Sequence, residues 1–158
     1  MVDPASPVIV RRASLEDLAD VLRITHTANA EYAGRWAVSA TTEPEDAVVA
    51  DLAQGPAFLA VVDGLAVGCV RSVMREDGTA FIKRLAVLPQ WRLRGIGRRL
   101  MAEIEGGLMA IGVRRVSLGT VAENDAIGAF YERQGYRAVG GREVPGRNFH
   151  AQMWEKDL

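Results

Sequence analysis

The chain has 158 residues, 49% hydrophobic and 25% charged, with a formal net charge of −1. That is the length and composition of one globular domain, 1–158, able to bury its own core. The only cysteine is Cys69 and the only histidines are His26 and His150, which excludes an internal disulfide framework and a Cys/His-rich metal site.

No apolar run approaches the ~20 residues that a membrane span needs. Met1-Val2-Asp3-Pro4 has neither the basic start nor the apolar stretch of a signal peptide. The expectation is a cytoplasmic protein with no membrane and no nucleic acid among its partners, because no global field recruits either.

Residues 1–7 carry Pro4 and Pro7 and read as a loose end. Val8–Arg12 is a short β-branched run and a first strand. Ser14 caps a helix, with Asp17 in a capping-box position and Leu15, Leu18, Val21, Leu22 and Thr25 at helical spacing. Residues 32–41 have no clear period. Thr42 with Glu45 starts a second helix, which runs to about Gln54 and stops at Gly55-Pro56. Ala57–Val62, Leu65–Met74 and Thr79–Leu88 read as three strands joined by the turns Asp63-Gly64 and Asp77-Gly78. A helix from about Gly95 to Ile111 carries Ile96, Leu100, Ile104, Leu108 and Ile111 along one face. Arg114–Val121 is a strand and Asn124–Gln134 a helix. Tyr136–Val144 and Asn148–Glu155 form a closing strand pair around Pro145-Gly146. The order β α α β β β α β α β β defines an α+β (mixed α/β) domain.

Charge is uneven along the chain. Residues 1–79 hold 6 basic and 12 acidic groups, and residues 80–158 hold 13 and 8. Lys83, Arg84, Arg92, Arg94, Arg98 and Arg99 fall in a window of 17 residues with no acid. Within that window a strand ends at Pro89, a basic loop follows, and Gly95-Ile96-Gly97 opens a helix. The first amides of a helix lack internal partners and its dipole favours an anion. Glycines let a phosphate approach the backbone, and arginines add charge-assisted bonds. The segment is neither a P-loop, lacking Gly-Lys-Ser/Thr, nor the dinucleotide fingerprint, since Leu100 stands where a third glycine belongs.

Arg92-Leu93-Arg94-Gly95-Ile96-Gly97 resembles the Arg/Gln-x-x-Gly-x-Gly/Ala signature of the Gcn5-related N-acetyltransferase (GNAT) superfamily. Arg84-Leu85-Ala86-Val87-x-Pro89 is similar to that family's acyl-CoA strand. Asn124, Ala129-Phe130-Tyr131-Glu132 and Gly135-Tyr136 resemble its second signature. The resemblance implies a GNAT-like fold: a central, twisted, mostly antiparallel sheet of about seven strands, splayed between the fourth and fifth, with about four helices. It implies acetyl-CoA as acyl donor, an amine acceptor and a homodimer.

The resemblance also assigns roles. Leu85, Ala86 and Val87 pair with the pantetheine arm, and the Val87 amide polarises the thioester carbonyl. Backbone amides from Arg92, Leu93, Arg94, Gly95, Ile96, Gly97 and Arg98 cradle the pyrophosphate. Asn124 reaches the pantetheine, and Tyr131 protonates the departing thiolate. Phe130 is read into the core, which turns Tyr131 toward the splayed strands. Relatives place a carboxylate early in the strand before Leu85, but Phe81-Ile82-Lys83-Arg84 holds none. Glu31, Glu43, Glu76 and His150 remain as candidate bases. Tyr32, Arg35, Trp36 and His150 are the candidate acceptor residues. Arg35 and Arg147 hint at an acceptor carboxylate, whereas the acidic first half hints at a cationic amine. A catalytically inactive acyl-CoA-binding module is the alternative.

Overall fold

The computed structural model describes residues 2–158. Its strands are β1 (Ile9–Arg12), β2 (Ala57–Val62), β3 (Leu65–Met74), β4 (Ala80–Val87), β5 (Arg115–Val121), β6 (Arg137–Glu143) and β7 (His150–Asp157). Its helices are α1 (Leu18–Asn29), α2 (Glu45–Gln54), α3 (Ile96–Ala110) and α4 (Asp125–Arg133). One sheet holds all seven strands in the order β1-β2-β3-β4-β5-β7-β6. Every pairing is antiparallel except β4 with β5.

The tight turn at Asp63-Gly64 joins β2 to β3 in the register Val62↔Leu65, as the sequence suggests. Helices cover both faces of β3. Cys69 lies 3.9 Å from Thr25 of α1, while a side chain at its neighbour Gly68 would meet Leu100 and Ile96 of α3. Successive strand residues point to opposite faces, so α1 and α3 sandwich the sheet. The core between them contains Ile24, Leu59, Val67, Val70, Ile96, Leu100, Ile104 and Leu108, all nearly inaccessible to solvent.

Several sequence expectations need correcting. Ser14 does form a capping box with Asp17, but the cap opens a 3-10 turn at Leu15–Asp17, and Leu15 is exposed. Thr42 does not cap α2. It ends a 3-10 turn at Ser39–Thr42, and Pro44 stands at the N-cap, holding the residue before it extended. Ile111 lies past the end of α3 and is exposed. Trp154 is buried, and its Nε1 donates to Thr120 at 2.9 Å. The N-terminal segment is fastened at several points. Ser6 Oγ donates to Asp63 at 2.7 Å, Arg94 donates to the Pro4 carbonyl at 3.2 Å, and Arg99 donates to the Val8 carbonyl at 2.6 Å.

Beneath β3 and β4 runs an ion network that the sequence did not announce. Arg71 is 0% exposed. Its guanidinium lies 2.7 Å from Asp51 and 2.5 Å from Glu43. Lys83 also meets Asp51, at 3.0 Å, and Arg84 pairs with Glu43. Together these contacts tie the α2 side of the fold to β3 and β4.

Candidate active site

The parallel pair β4–β5 is bonded only at Ala80↔Val116 and Phe81↔Ser117. Beyond that point β4 runs on to Val87 without pairing with β5. The cause is local. The β3–β4 register slips between Cys69 and Arg71, and Arg84 opposite the slip has φ 59°. Such a bulge bends its strand. Arg84 is held there by Glu43 and by its hydrogen bond to Ser39 Oγ at 2.9 Å. The edge of β4 from Leu85 to Val87 is left open toward a cleft.

That cleft has a volume of about 410 Å³. Its floor is Leu85, Ala86 and Val87. One wall is the loop Trp91–Gly97 with the start of α3, and the other is Asn124, Ala126, Ile127 and Phe130 of the α4 region. Ala28, Asn29 and Tyr32 close its end.

The start of α3 is shaped for an anion. Gly95 caps the helix at φ +75° and no side chain satisfies the first amides. Leu93 also has a positive φ, 62°. Alternating left-handed residues turn successive N–H groups into a concave, positive cradle. A side chain at Gly97 would meet the Phe130 ring at 3.5 Å. The first turn carries no acid.

The arginines divide into different tasks. Arg92 donates Nε to the Val87 carbonyl at 3.1 Å and Nη2 to the Ala28 carbonyl at 2.8 Å, and it pairs with Glu31. Arg94 stacks over Trp91, 4.7 Å from the ring centroid, and bonds Pro4. Arg98 has no hydrogen-bond partner among the described residues and stands in the first turn of α3, beside Gly95. Asn124 caps α4, accepting from the Ile127 amide at 3.3 Å, and it lines the cleft as well.

Phe130 and Tyr131 exchange the positions expected of them. Phe130 forms the cleft wall, while Tyr131 lies behind it, 7% exposed, with its ring edge-on to Phe130 and Tyr136. Burial pushes the Tyr131 phenol far above its ordinary value, so it stays protonated at every physiological pH. Tyr136 is occupied elsewhere, donating to Glu105 at 2.8 Å.

The four candidate bases scatter. Desolvation pushes the Glu43 carboxyl up, but Arg71 and Arg84 outweigh it and hold it below the usual carboxylate range. It is a fixed structural anion. Glu31 is paired with Arg92. Glu76 sits in the β3–β4 turn, at the opposite end of β4 from Val87. His150 opens β7 and bonds Glu123 through Nδ1 at 2.6 Å, which raises its pKa. His150 does not line the cleft, so the structure does not bring it together with Tyr32 there. Its partner Glu123 went unread in the sequence, where only adjacency to Asn124 marks it. Trp36 is buried beside Tyr32, with ring centroids 5.5 Å apart, and Arg35 lies over Trp36.

A mixed sheet split along its parallel pair, with an anion-binding helix start at the split, defines a class of acyl-CoA-handling domain. Comparison with known proteins agrees with it. The profile of the Acetyltransferase (GNAT) family matches residues 21–136. The chain belongs to that family. An uncharacterized N-acetyltransferase of Chlorobaculum tepidum is 29% identical over 153 residues, covering 96% of this chain and 86% of that protein. The PaiA N-acetyltransferase of Thermoplasma acidophilum, solved with coenzyme A, aligns with a TM-score of 0.79 at 17% identity, covering 96% of this chain and 99% of that one. YncA of Salmonella typhimurium, a putative acetyltransferase solved with acetyl-CoA, aligns with a TM-score of 0.79 at 18% identity, covering 97% and 95%. At those identities the likeness to solved structures concerns the fold.

Proposed function

We propose that this chain transfers the acetyl group of acetyl-CoA to a primary amine by direct attack of the amine on the thioester. The observation that carries the reading is the coincidence of two features. The open edge of β4 ends at Val87, and the uncapped, acid-free start of α3 lies in the same cleft. A pyrophosphate fits the amides of Ile96, Gly97 and Arg98, with the Arg98 side chain adding charge. An amide-bearing arm fits Leu85, Ala86 and Val87 as an added strand, because their edge has lost β5. Acetyl-CoA supplies the activated acyl carbon, and the chain supplies position and polarisation. The Val87 amide polarises the carbonyl. Asn124, whose oxygen is spent on capping, keeps its NH₂ for the arm. Tyr131 is the general acid of the proposal. Its phenol is neutral, its hydroxyl has no hydrogen-bond partner among the described residues, and its ring lies directly behind the cleft-lining Phe130.

One observation favours a second reading, an acyl-CoA-binding module without catalysis. The cleft lining contains no Asp, Glu or His. The catalytic reading answers that the amine enters as the neutral free base, or that a bound water takes its proton and passes it to solvent. Thiol release from acetyl-CoA across an amine panel decides between them. Amine-dependent release supports the enzyme, and binding without release supports the module.

The same proposal takes the chain as a cytoplasmic homodimer. The dimer is supported by β6, an edge strand with all seven residues exposed. Light scattering tests it, and a monomer mass contradicts it.

A further inference from the structure

Two segments far apart in the chain meet at the open end of the split sheet. Asn148 Oδ1 accepts from the Ala37 amide at 2.8 Å, and Asn148 Nδ2 donates to the Arg35 carbonyl at 3.0 Å. Arg147 Nη1 donates to the Ala37 carbonyl at 2.6 Å. The first segment follows Tyr32, which closes the cleft on the α1 side. The second precedes His150, whose carbonyl accepts from Ala122 just past the end of β5. The junction therefore bridges the splay at the carboxyl ends of β4 and β5.

The bridge carries unbalanced positive charge. Residues 32–42 and 144–149 together contain Arg35 and Arg147 and no acid. Of the nearby carboxylates, Glu31 is committed to Arg92, Glu43 to Arg71 and Arg84, and Glu123 to His150, while the exposed Glu143 lies opposite His150 in the β6–β7 register and acts on that same imidazole. The Arg35 guanidinium has neither an acid nor a hydrogen-bond acceptor among the described residues. It is held by stacking, 4.2 Å over the Trp36 ring, and Trp36 is a buried and therefore stiff platform. Arg147 spends one nitrogen on Ala37, and the rest of its fork has no partner among the described residues. The stack from Tyr32 to Trp36 to Arg35 puts that guanidinium at most about 10 Å from the cleft-lining Tyr32 ring. A planar donor fork on a fixed platform matches a carboxylate.

We propose that the acceptor is a small amine bearing a carboxylate, held by Arg35 and Arg147 on the Ala37–Asn148 bridge while its amino group enters the cleft. This rests on the acetyltransferase reading above. It decides between the two hints in the sequence, because the acids of the first half that lie nearby are already neutralised by arginines. The bridge turns an open groove into a site with a polar anchor at a fixed distance from the reacting carbon. Such an anchor discriminates by leaving its own donors unpaired when the partner group is missing.

The test uses matched amines on the full chain with acetyl-CoA: β-alanine against propylamine, lysine against cadaverine, and alanine against ethylamine. A peptide amine without a nearby carboxylate serves as a further arm. The expected result is a kcat/KM at least tenfold higher for the carboxylated member of a pair. Arg35→Gln should raise KM for that member at least tenfold, leave its carboxylate-free counterpart within twofold, and leave the KM of acetyl-CoA unchanged. Arg147→Lys keeps the charge and should fall between wild type and Arg147→Gln. Equal or better turnover of the carboxylate-free amines, or an equal effect of Arg35→Gln on both members, overturns the carboxylate site and spares the enzyme. Acetyl-CoA binding with no thiol release from any amine overturns the enzyme reading itself.

Discussion

Arg92 donates its Nε to the Val87 carbonyl at 3.1 Å, binding the anion loop to the last residue of β4. The same guanidinium reaches the Ala28 carbonyl and Glu31, so one side chain sets the spacing of loop, strand and α1. The cradle is thus built before any ligand arrives. Arg92→Ala should lower acetyl-CoA affinity by roughly ten- to a hundredfold, since charged hydrogen bonds contribute about 1.5–3 kcal/mol each. Calorimetry checks it, with circular dichroism to show that the fold persists. Unchanged affinity would show that the loop holds its shape without Arg92.

Gly97 separates shape from charge. A Cβ there meets Phe130 at 3.5 Å, an ordinary contact, so Gly97→Ala should fold normally. Gly97→Glu should also fold but place a carboxylate at the helix start where the pyrophosphate is proposed to lie. Its acetyl-CoA affinity should drop far more than that of Gly97→Ala. Equal affinities for the two variants would remove the pyrophosphate from this helix start.

Tyr131→Phe removes one oxygen and little volume from a buried ring. Stability should change little, because that hydroxyl has no hydrogen bond to lose. Positioned acid catalysis typically contributes about 10²–10⁴-fold, and water can partly replace it. Turnover with a working acceptor should therefore fall by roughly one to three orders of magnitude, with acetyl-CoA binding unaffected. Turnover within twofold of wild type would leave Tyr131 as a core residue only.

The buried ion network gives a prediction about acid stability. Glu43 titrates below its ordinary value of 4.5 in the folded chain. A depressed carboxyl contributes stability that is present above the unfolded pKa and is lost as pH falls through the folded one. Glu43→Gln should be less stable than wild type at pH 7, and the gap should narrow below about pH 4.5. Arg71→Met should cost up to about 3–5 kcal/mol at neutral pH, because it removes the fully buried cation and leaves Glu43 and Asp51 only the partly exposed Arg84 and Lys83. Urea unfolding across pH reads both. A pH-independent gap for Glu43→Gln would mean that its ionisation contributes nothing.

Strand and helix periods, the Asp63-Gly64 turn and the glycine-opened helix start were legible because each is a local pattern with a local cause. The cleft floor at Leu85–Val87 and its wall at Asn124 were legible through their motifs. What failed was long-range. Arg71 looks like any residue in a strand, and nothing nearby in sequence says that Glu43 and Asp51 will bury it. The exchange of Phe130 and Tyr131 depends on which side of α4 faces the cleft, and two adjacent aromatics do not encode that. The bridge between Ala37 and Asn148 joins segments with no period of their own, so only the fold could bring them together.

The most direct measurement of the central claim follows acetyl-CoA and the carboxylated amines together in one reaction, reading released thiol and acetylated amine. The account predicts equal amounts of both, dependent on enzyme and amine, and suppressed in Gly97→Glu. Saturable acetyl-CoA binding with thiol release no faster than spontaneous hydrolysis for every amine would contradict it.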